Sequence, residues 1–159
     1  MKEAGVELFA ELESLAVMGF VEGLPRIPYF RRLERQVRRL LDEQRPDLVI
    51  LVDYPGFNMR IARAAHGRGI PVFYYIAPQV WAWKAGRVKE LASNFTAVFP
   101  ILPFEQELLS SKGVNSKYLG HPLLDSLKRD NKEPSKEQKI LALLPGSRKQ
   151  EINKILPVL

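Results

Sequence analysis

The chain has 159 residues, 46% hydrophobic and 26% charged, a composition with apolar mass for one core plus a fragment of another. It has no cysteine and two histidines, His66 and His121, which excludes disulfides, thiolate ligands and a cysteine nucleophile and, with only two imidazoles, argues against a zinc site built from side chains. No apolar run approaches the roughly 20 residues of a membrane-spanning helix, and the net charge of +6 draws anions without choosing among nucleic acid, nucleotide phosphates and an anionic bilayer.

The N-terminal "MKEAGVELFAELES" is too acidic and interrupted for a signal peptide. Next, "VMGFVEGLPRIPYFRR" (17–32) interleaves Leu24, Ile27, Tyr29 and Phe30 with Arg26, Arg31 and Arg32. Two prolines prevent a long regular helix. The mixture suits a segment dipping into an anionic bilayer face, with those four apolar residues as membrane contacts, and equally a lid over the core. "FRRLERQVRRLLDEQ" (30–44) places Leu33, Val37, Leu40 and Leu41 on one helical face and arginines on the other.

"LVILVD" (48–53) reads as the first strand, and "VDYPGFNMR" (52–60) follows it. Asp53 then lies just outside the carboxyl end of a strand, where ligands gather in parallel-sheet folds. It suits a proton acceptor for a sugar hydroxyl, or a cap for the next helix shared with Asn58. "NMRIARAAHGRG" (58–69) is a short helix closed by Gly67 or Gly69.

"PVFYYIA" (71–77) is the second strand, and both tryptophans come soon after it in "APQVWAWKAGRVKEL". Trp81 and Trp83 beside Lys84 and Arg87 read either as a core anchor next to a solvated helix or as the wall of a binding cleft. "FTAVFPI" (95–101) is a third strand and "PFEQELLSSKG" (103–113) a helix opening on Pro103 and closing at Gly113. "KYLG" (117–120) reads as a further strand. In "YLGHPLLD" (118–125), His121 sits between glycine and proline, either as a ligand contact or general base, or as a ring satisfied by nearby backbone.

Residues 127–138, "LKRDNKEPSKEQ", are almost wholly polar and read as a linker. "KILALLP" (139–145) is a strand signal, and "LLPGSRKQEI" (143–152) turns from it into a helix. There Gly146 permits close backbone approach, Ser147 suits a cap, and Arg148 offers a fork of donors to a diphosphate. An ordinary turn with a serine cap and an exposed arginine fits as well. Continuously apolar strands spaced by single helices predict an α/β fold with a Rossmann-like parallel sheet covered on both faces. Residues 139–159 read as the first βα unit of a second such domain, so the chain reads as truncated.

"AVMGFVEGLPRIP", "VDYPGFNMR", "YYIAPQVWAWKAGRVKEL", "PFEQELLSSKGV", "YLGHPLLD" and "LALLPGSRKQEI" occur in the order and approximate spacing of bacterial lipid-A-disaccharide synthases. The resemblance covers nearly the whole chain. It implies an inverting, metal-independent GT-B glycosyltransferase without cofactor, two Rossmann-like domains facing across a cleft. Such enzymes join UDP-2,3-diacylglucosamine to 2,3-diacylglucosamine 1-phosphate (lipid X), releasing UDP, at the cytoplasmic face of the inner membrane of Gram-negative bacteria. Residues 1–126 then form the acceptor-side domain, lacking its amino-terminal part, and 139–159 the start of the nucleotide-sugar domain.

Under the resemblance Asp53 and His121 are catalytic candidates. Gly146, Ser147 and Arg148 hold the donor diphosphate, and Asn58, Trp81, Trp83, Lys84 and Arg87 meet the acceptor. Many family members read "DAPDFN", with an acid where Gly56 stands here. The family's amino-terminal "GExSGD" turn belongs before Met1. A piece of this kind is expected to be inactive alone, and a homo-oligomer is left open. The competing readings are another GT-B UDP-sugar transferase, a UDP-sugar epimerase, or a basic nucleic-acid-binding module. The last has only the charge behind it, spread over helix faces without a nucleic-acid motif.

Overall fold

The structure, a computed structural model, describes residues 5, 7, 27–80, 86–127, 141–147 and 149–159. The chain divides into two compact units, Met1–Leu124 and Asp125–Leu159. The first unit runs α1 (Ile27–Gln44), β1 (Val49–Val52), α2 (Pro55–His66), β2 (Val72–Tyr75), α3 (Arg87–Asn94), β3 (Ala97–Phe99) and α4 (Pro103–Ser110). A single helical turn, α5 (Leu123–Ser126), lies at the boundary of the units.

The three strands form a parallel sheet in the order β1-β2-β3, with Leu51 opposite Tyr74 and Tyr74 opposite Val98. This is the α/β class and the parallel Rossmann-like sheet that the strand sequences predict. Leu51, Val72, Tyr74 and Val98 are buried in one core with Ile61, Ala62 and Ala65 of α2 and Val88 and Leu91 of α3. The alanines let α2 settle close to the sheet.

The opposite face differs from expectation: Ile50 and Val52 are 61% and 48% exposed. The reason is topological. Sequential strands with right-handed crossovers deliver both connecting helices to the same side. Covering the second side requires a reversal of strand order, which the described residues do not contain.

Helix α1 begins at Ile27, three residues earlier than predicted, because Pro28 falls in the first turn, where its missing donor leaves no bond unmade. Leu33 and Leu41 are buried and Val37 packs on the core, as the periodicity requires. On its outer surface Arg38 meets Glu34 at 2.8 Å and Arg39 meets Glu43 at 2.6 Å. Arg68 donates to both Asp42 oxygens, at 2.6 and 2.8 Å, tying α1 to the turn after α2 and holding the Asp42 carboxyl below its ordinary range. These pairs are solvated, so apolar burial outweighs them.

Two predicted strands are corrected. Just before 117–120 a single bridge joins Val98 and Ser116, closed by the Lys117 N–H to Val98 O at 3.0 Å. The Tyr118 N–H donates to the side-chain amide of Gln106 on α4, and Gly120 turns left-handed at φ 106°, so no ladder continues. In the second unit, Leu141–Pro145 carry no strand, and Lys139 and Ile140 lie outside the described residues. A strand exists by pairing, and no described residue pairs with this run. Leu141 and Leu144 stay 85% and 89% exposed, and α6 (Lys149–Ile155) follows. All of the predicted linker beyond Leu127 lies outside the described residues. Among the described residues, no helix is long and apolar enough to cross a membrane.

Candidate active site

The turn from β1 into α2 is unusual backbone. Asp53 and Tyr54 both adopt left-handed conformations, φ 48° and 47°, and Ile76 at the end of β2 does the same at φ 57°. Aspartate tolerates this region, but a β-branched isoleucine rarely does. Such residues cost of order 1–3 kcal/mol each and persist where surroundings over-determine them. Here the ladder runs right into both turns: Asp53 N–H donates to Tyr75 O (3.0 Å) and Ile76 N–H to Phe99 O (3.1 Å). Three strained residues thus stand at the carboxyl ends of adjacent parallel strands, the end at which such sheets bind ligands.

Asp53 and Ile76 line a cleft of about 360 Å³ with Pro78, Gln79 and Arg87. Among the described residues Asp53 is its one carboxylate, and it is exposed to solvent. Arg87 opens α3 and, with Pro55, also lines a second cleft of about 580 Å³ over α2. One wall of that second cleft is apolar. Phe30 stacks on Tyr54 with centroids 5.7 Å apart and lies 6.2 Å from Phe57, and Ile27 continues the wall.

The other wall is cationic: Arg31, Arg60 and Arg63 join Arg87. Among the described residues, two carboxylates reach these guanidinium groups. Glu34 lies 3.4 Å from Arg60 and Glu90 lies 4.0 Å from Arg63. A cleft with an aromatic side and a surplus of guanidinium suits an amphiphile that carries phosphate.

The predicted residues distribute as follows. Asp53 and Arg87 share the strand-end cleft, and Ile27 and Phe30 line the cationic cleft with Arg87. Tyr29, edge-on to Phe30 at 5.6 Å, is exposed. Asn58 is buried at 8% exposure, and its amide donates to Val52 O (3.0 Å) and Asp53 O (2.6 Å). That nitrogen is therefore committed to backbone, and Asn58 supports the site from beneath rather than touching a ligand with its donor. Asp53 does not cap α2, since the residue preceding its first turn is Tyr54, without a side-chain cap.

His121 lines neither cleft. Its Nδ1 accepts the Leu123 N–H at 3.1 Å, a bond to nearby backbone. Gly146 is left-handed at φ 104°, and a Cβ there would meet the Glu151 carboxylate at 2.6 Å. That carboxylate accepts the Ser147 N–H at 3.2 Å, so the anion at this turn is the chain's own. Leu24, Trp81, Trp83, Lys84 and Arg148 lie outside the described residues. Sequence reasoning missed Tyr54, Phe57, Arg60 and Arg63. The i, i+3 spacing of the two arginines, which sets them on one helical face, was the available signal.

Comparison with known proteins bears on this arrangement. A family model described as lipid-A-disaccharide synthetase matches residues 1–159. The lipid-A-disaccharide synthase of Syntrophus aciditrophicus is 40% identical over 167 residues, and that of Coxiella burnetii strain Dugway 5J108-111 is 40% identical over 169. The one from Persephonella marina is 39% identical over 170 residues. Each alignment covers 100% of this chain but 44%, 44% and 45% of the relatives' own lengths, so the chain spans less than half of the proteins it matches. With its whole length matched, this chain belongs to the lipid-A-disaccharide synthetase family.

Proposed function

We propose that the chain carries the acceptor-side lobe of a GT-B glycosyltransferase of lipid A biosynthesis. The reaction joins UDP-2,3-diacylglucosamine to lipid X and releases UDP, at the cytoplasmic face of the inner membrane. The observation that carries this reading is the meeting of Asp53 and Arg87 in one strand-end cleft, next to a cleft with aromatic and guanidinium walls. A diacylated sugar phosphate has the matching two-sided chemistry.

In an inverting displacement, a hydroxyl oxygen of the acceptor bonds to the donor's anomeric carbon as the bond to the diphosphate breaks. Asp53 takes the hydroxyl proton. Arg87, Arg60 and Arg63 hold the acceptor phosphate, joined by Lys84. Ile27, Phe30, Tyr54 and Phe57 receive the root of an acyl chain, and the tryptophans 81 and 83 complete the acceptor side. Gly146, Ser147 and Arg148 neutralise the departing diphosphate without a metal, once the Glu151 carboxylate gives way. Exposed Ile27 and Tyr29 beside Arg31 support docking on an anionic membrane face.

The test is UDP release by the full-length gene product that carries this chain. Release should require both acylated sugars, and the 159 residues alone should show no turnover. Transfer to soluble, unacylated acceptors would favour a different UDP-sugar transferase or an epimerase. Within the same assay, Arg63→Ala should raise the acceptor KM about 10- to 150-fold with kcat nearly unchanged, as expected for one charge-assisted contact of about 1.5–3 kcal/mol. Arg63→Lys should recover part of the loss. An unchanged KM in Arg63→Ala would remove the cationic wall from the acceptor site.

A further inference from the structure

The carbonyl of Asp53 accepts two buried side-chain donors. One is the Asn58 amide at 2.6 Å, which also reaches Val52 O, and the other is the Tyr74 hydroxyl at 3.0 Å. Tyr74 stands in the middle strand, is 0% exposed, and stacks on Phe95 with centroids 5.0 Å apart. Its hydroxyl is therefore fixed in place by the core rather than by the turn. Asn58 lies in the first turn of α2, whose backbone closes the same corner through Asn58 N–H to Tyr54 O at 3.1 Å. Two rigid elements, a strand and a helix, thus grip one carbonyl.

That grip has a conformational object. Asp53 and Tyr54 are consecutive left-handed residues without a glycine between them, an arrangement that costs energy at each position. With both lone pairs of the Asp53 carbonyl engaged, the peptide cannot swing back to extended backbone without breaking two hydrogen bonds from buried side chains and orphaning the Tyr74 hydroxyl, a loss of about 1–3 kcal/mol. The left-handed turn is what sets Asp53 in the lining of the strand-end cleft.

The phenol is suited to this work. Burial first, then the nearby Asp53 charge, push its ionisation upward, with Arg87 opposing, so it remains a neutral donor through the physiological range.

We propose that Tyr74 and Asn58 are positioning residues, acting through the Asp53 carbonyl to hold the Asp53 carboxylate at the reacting hydroxyl. The proposal rests on the reading of Asp53 as the base. A structural hydroxyl would show itself in stability alone. A positioning hydroxyl shows itself in kcat at constant KM, and its effect vanishes when the group it positions is removed.

The experiment is a double-mutant cycle in the full-length gene product, with kcat, acceptor KM and thermal midpoint measured for each member. Tyr74→Phe keeps the ring and deletes the donor. It should lower kcat about tenfold, with acceptor KM within about twofold. In the Asp53→Asn background the same change should lower kcat no further.

Two outcomes overturn the proposal while sparing the base: Tyr74→Phe lowering only the thermal midpoint, or its kcat effect persisting undiminished without the carboxylate. If Asp53→Asn itself leaves kcat intact, the base assignment and the positioning role fall together. Should Tyr74→Phe not fold, Asn58→Ser removes the other donor and is read by the same criteria.

Discussion

Asp53→Asn is expected to lower kcat of the full-length gene product by about 10²- to 10⁴-fold, the usual worth of a general base, while acceptor KM moves less than about threefold. Among the described residues, Asp53 is the one carboxylate in the lining of the strand-end cleft. The turn that follows reads Tyr54, Pro55, Gly56 and Phe57, so no neighbouring carboxylate in the turn can substitute.

Asparagine suits the control. It matches aspartate in size and tolerates the left-handed conformation that position 53 adopts. The hydrogen bonds that secure the turn use the Asp53 backbone, not its side chain. The variant should therefore keep its thermal midpoint within a few degrees and lose catalysis only. A kcat within threefold of the parent would transfer the role to a carboxylate elsewhere in the protein.

How much of this was legible beforehand depends on the range of the interactions involved. The strands at 49–52, 72–75 and 97–99 declared themselves through dense β-branched and aromatic runs, because burial between neighbouring strands selects for those side chains. The strand expected at 117–120 failed because Gln106, on a different element, claims the Tyr118 N–H. No local pattern reports such competition. The run at 141–145 has strand composition, yet composition supplies no partner.

The site was legible in the same uneven way. Asp53 was found because its place, one residue past a strand, is a rule of the fold. Asn58 was noticed, but not the bonds it makes, since the acceptors of its amide lie five and six residues back along a turn whose left-handed geometry no periodicity reveals. Tyr74 passed as ordinary strand filling, and its hydroxyl has meaning only once β2 is set beside β1. The cationic wall needed α1, α2 and α3 brought together, although Arg60 and Arg63 already shared a helical face.

The largest loss of stability is expected from Leu91→Ala. Helix α3 is only 8 residues long, too short to persist without tertiary contacts. Val88 and Leu91 are its buried residues, and Leu91 is 0% exposed within the core shared with Val72, Tyr74 and Val98. Truncation to alanine should cost about 2–5 kcal/mol, a large share of the 5–15 kcal/mol typical of a whole domain. Urea denaturation of the 159-residue chain reads this as a lowered midpoint with an unchanged slope.

Leu91→Met, close in volume, should stay within about 1.5 kcal/mol, and Lys89→Ala, exposed on the same helix, within about 0.5 kcal/mol. A Leu91→Ala cost below 1 kcal/mol would mean that α3 is not fastened through this side chain. The consequence reaches the clefts, because α3 begins with Arg87, which lines both, and carries Glu90 against Arg63. Loosening the helix at Leu91 therefore withdraws a cation from two sites at once. In the full-length gene product the acceptor KM should rise in Leu91→Ala and remain near the parent value in Leu91→Met, tying the packing of one leucine to the placement of one guanidinium.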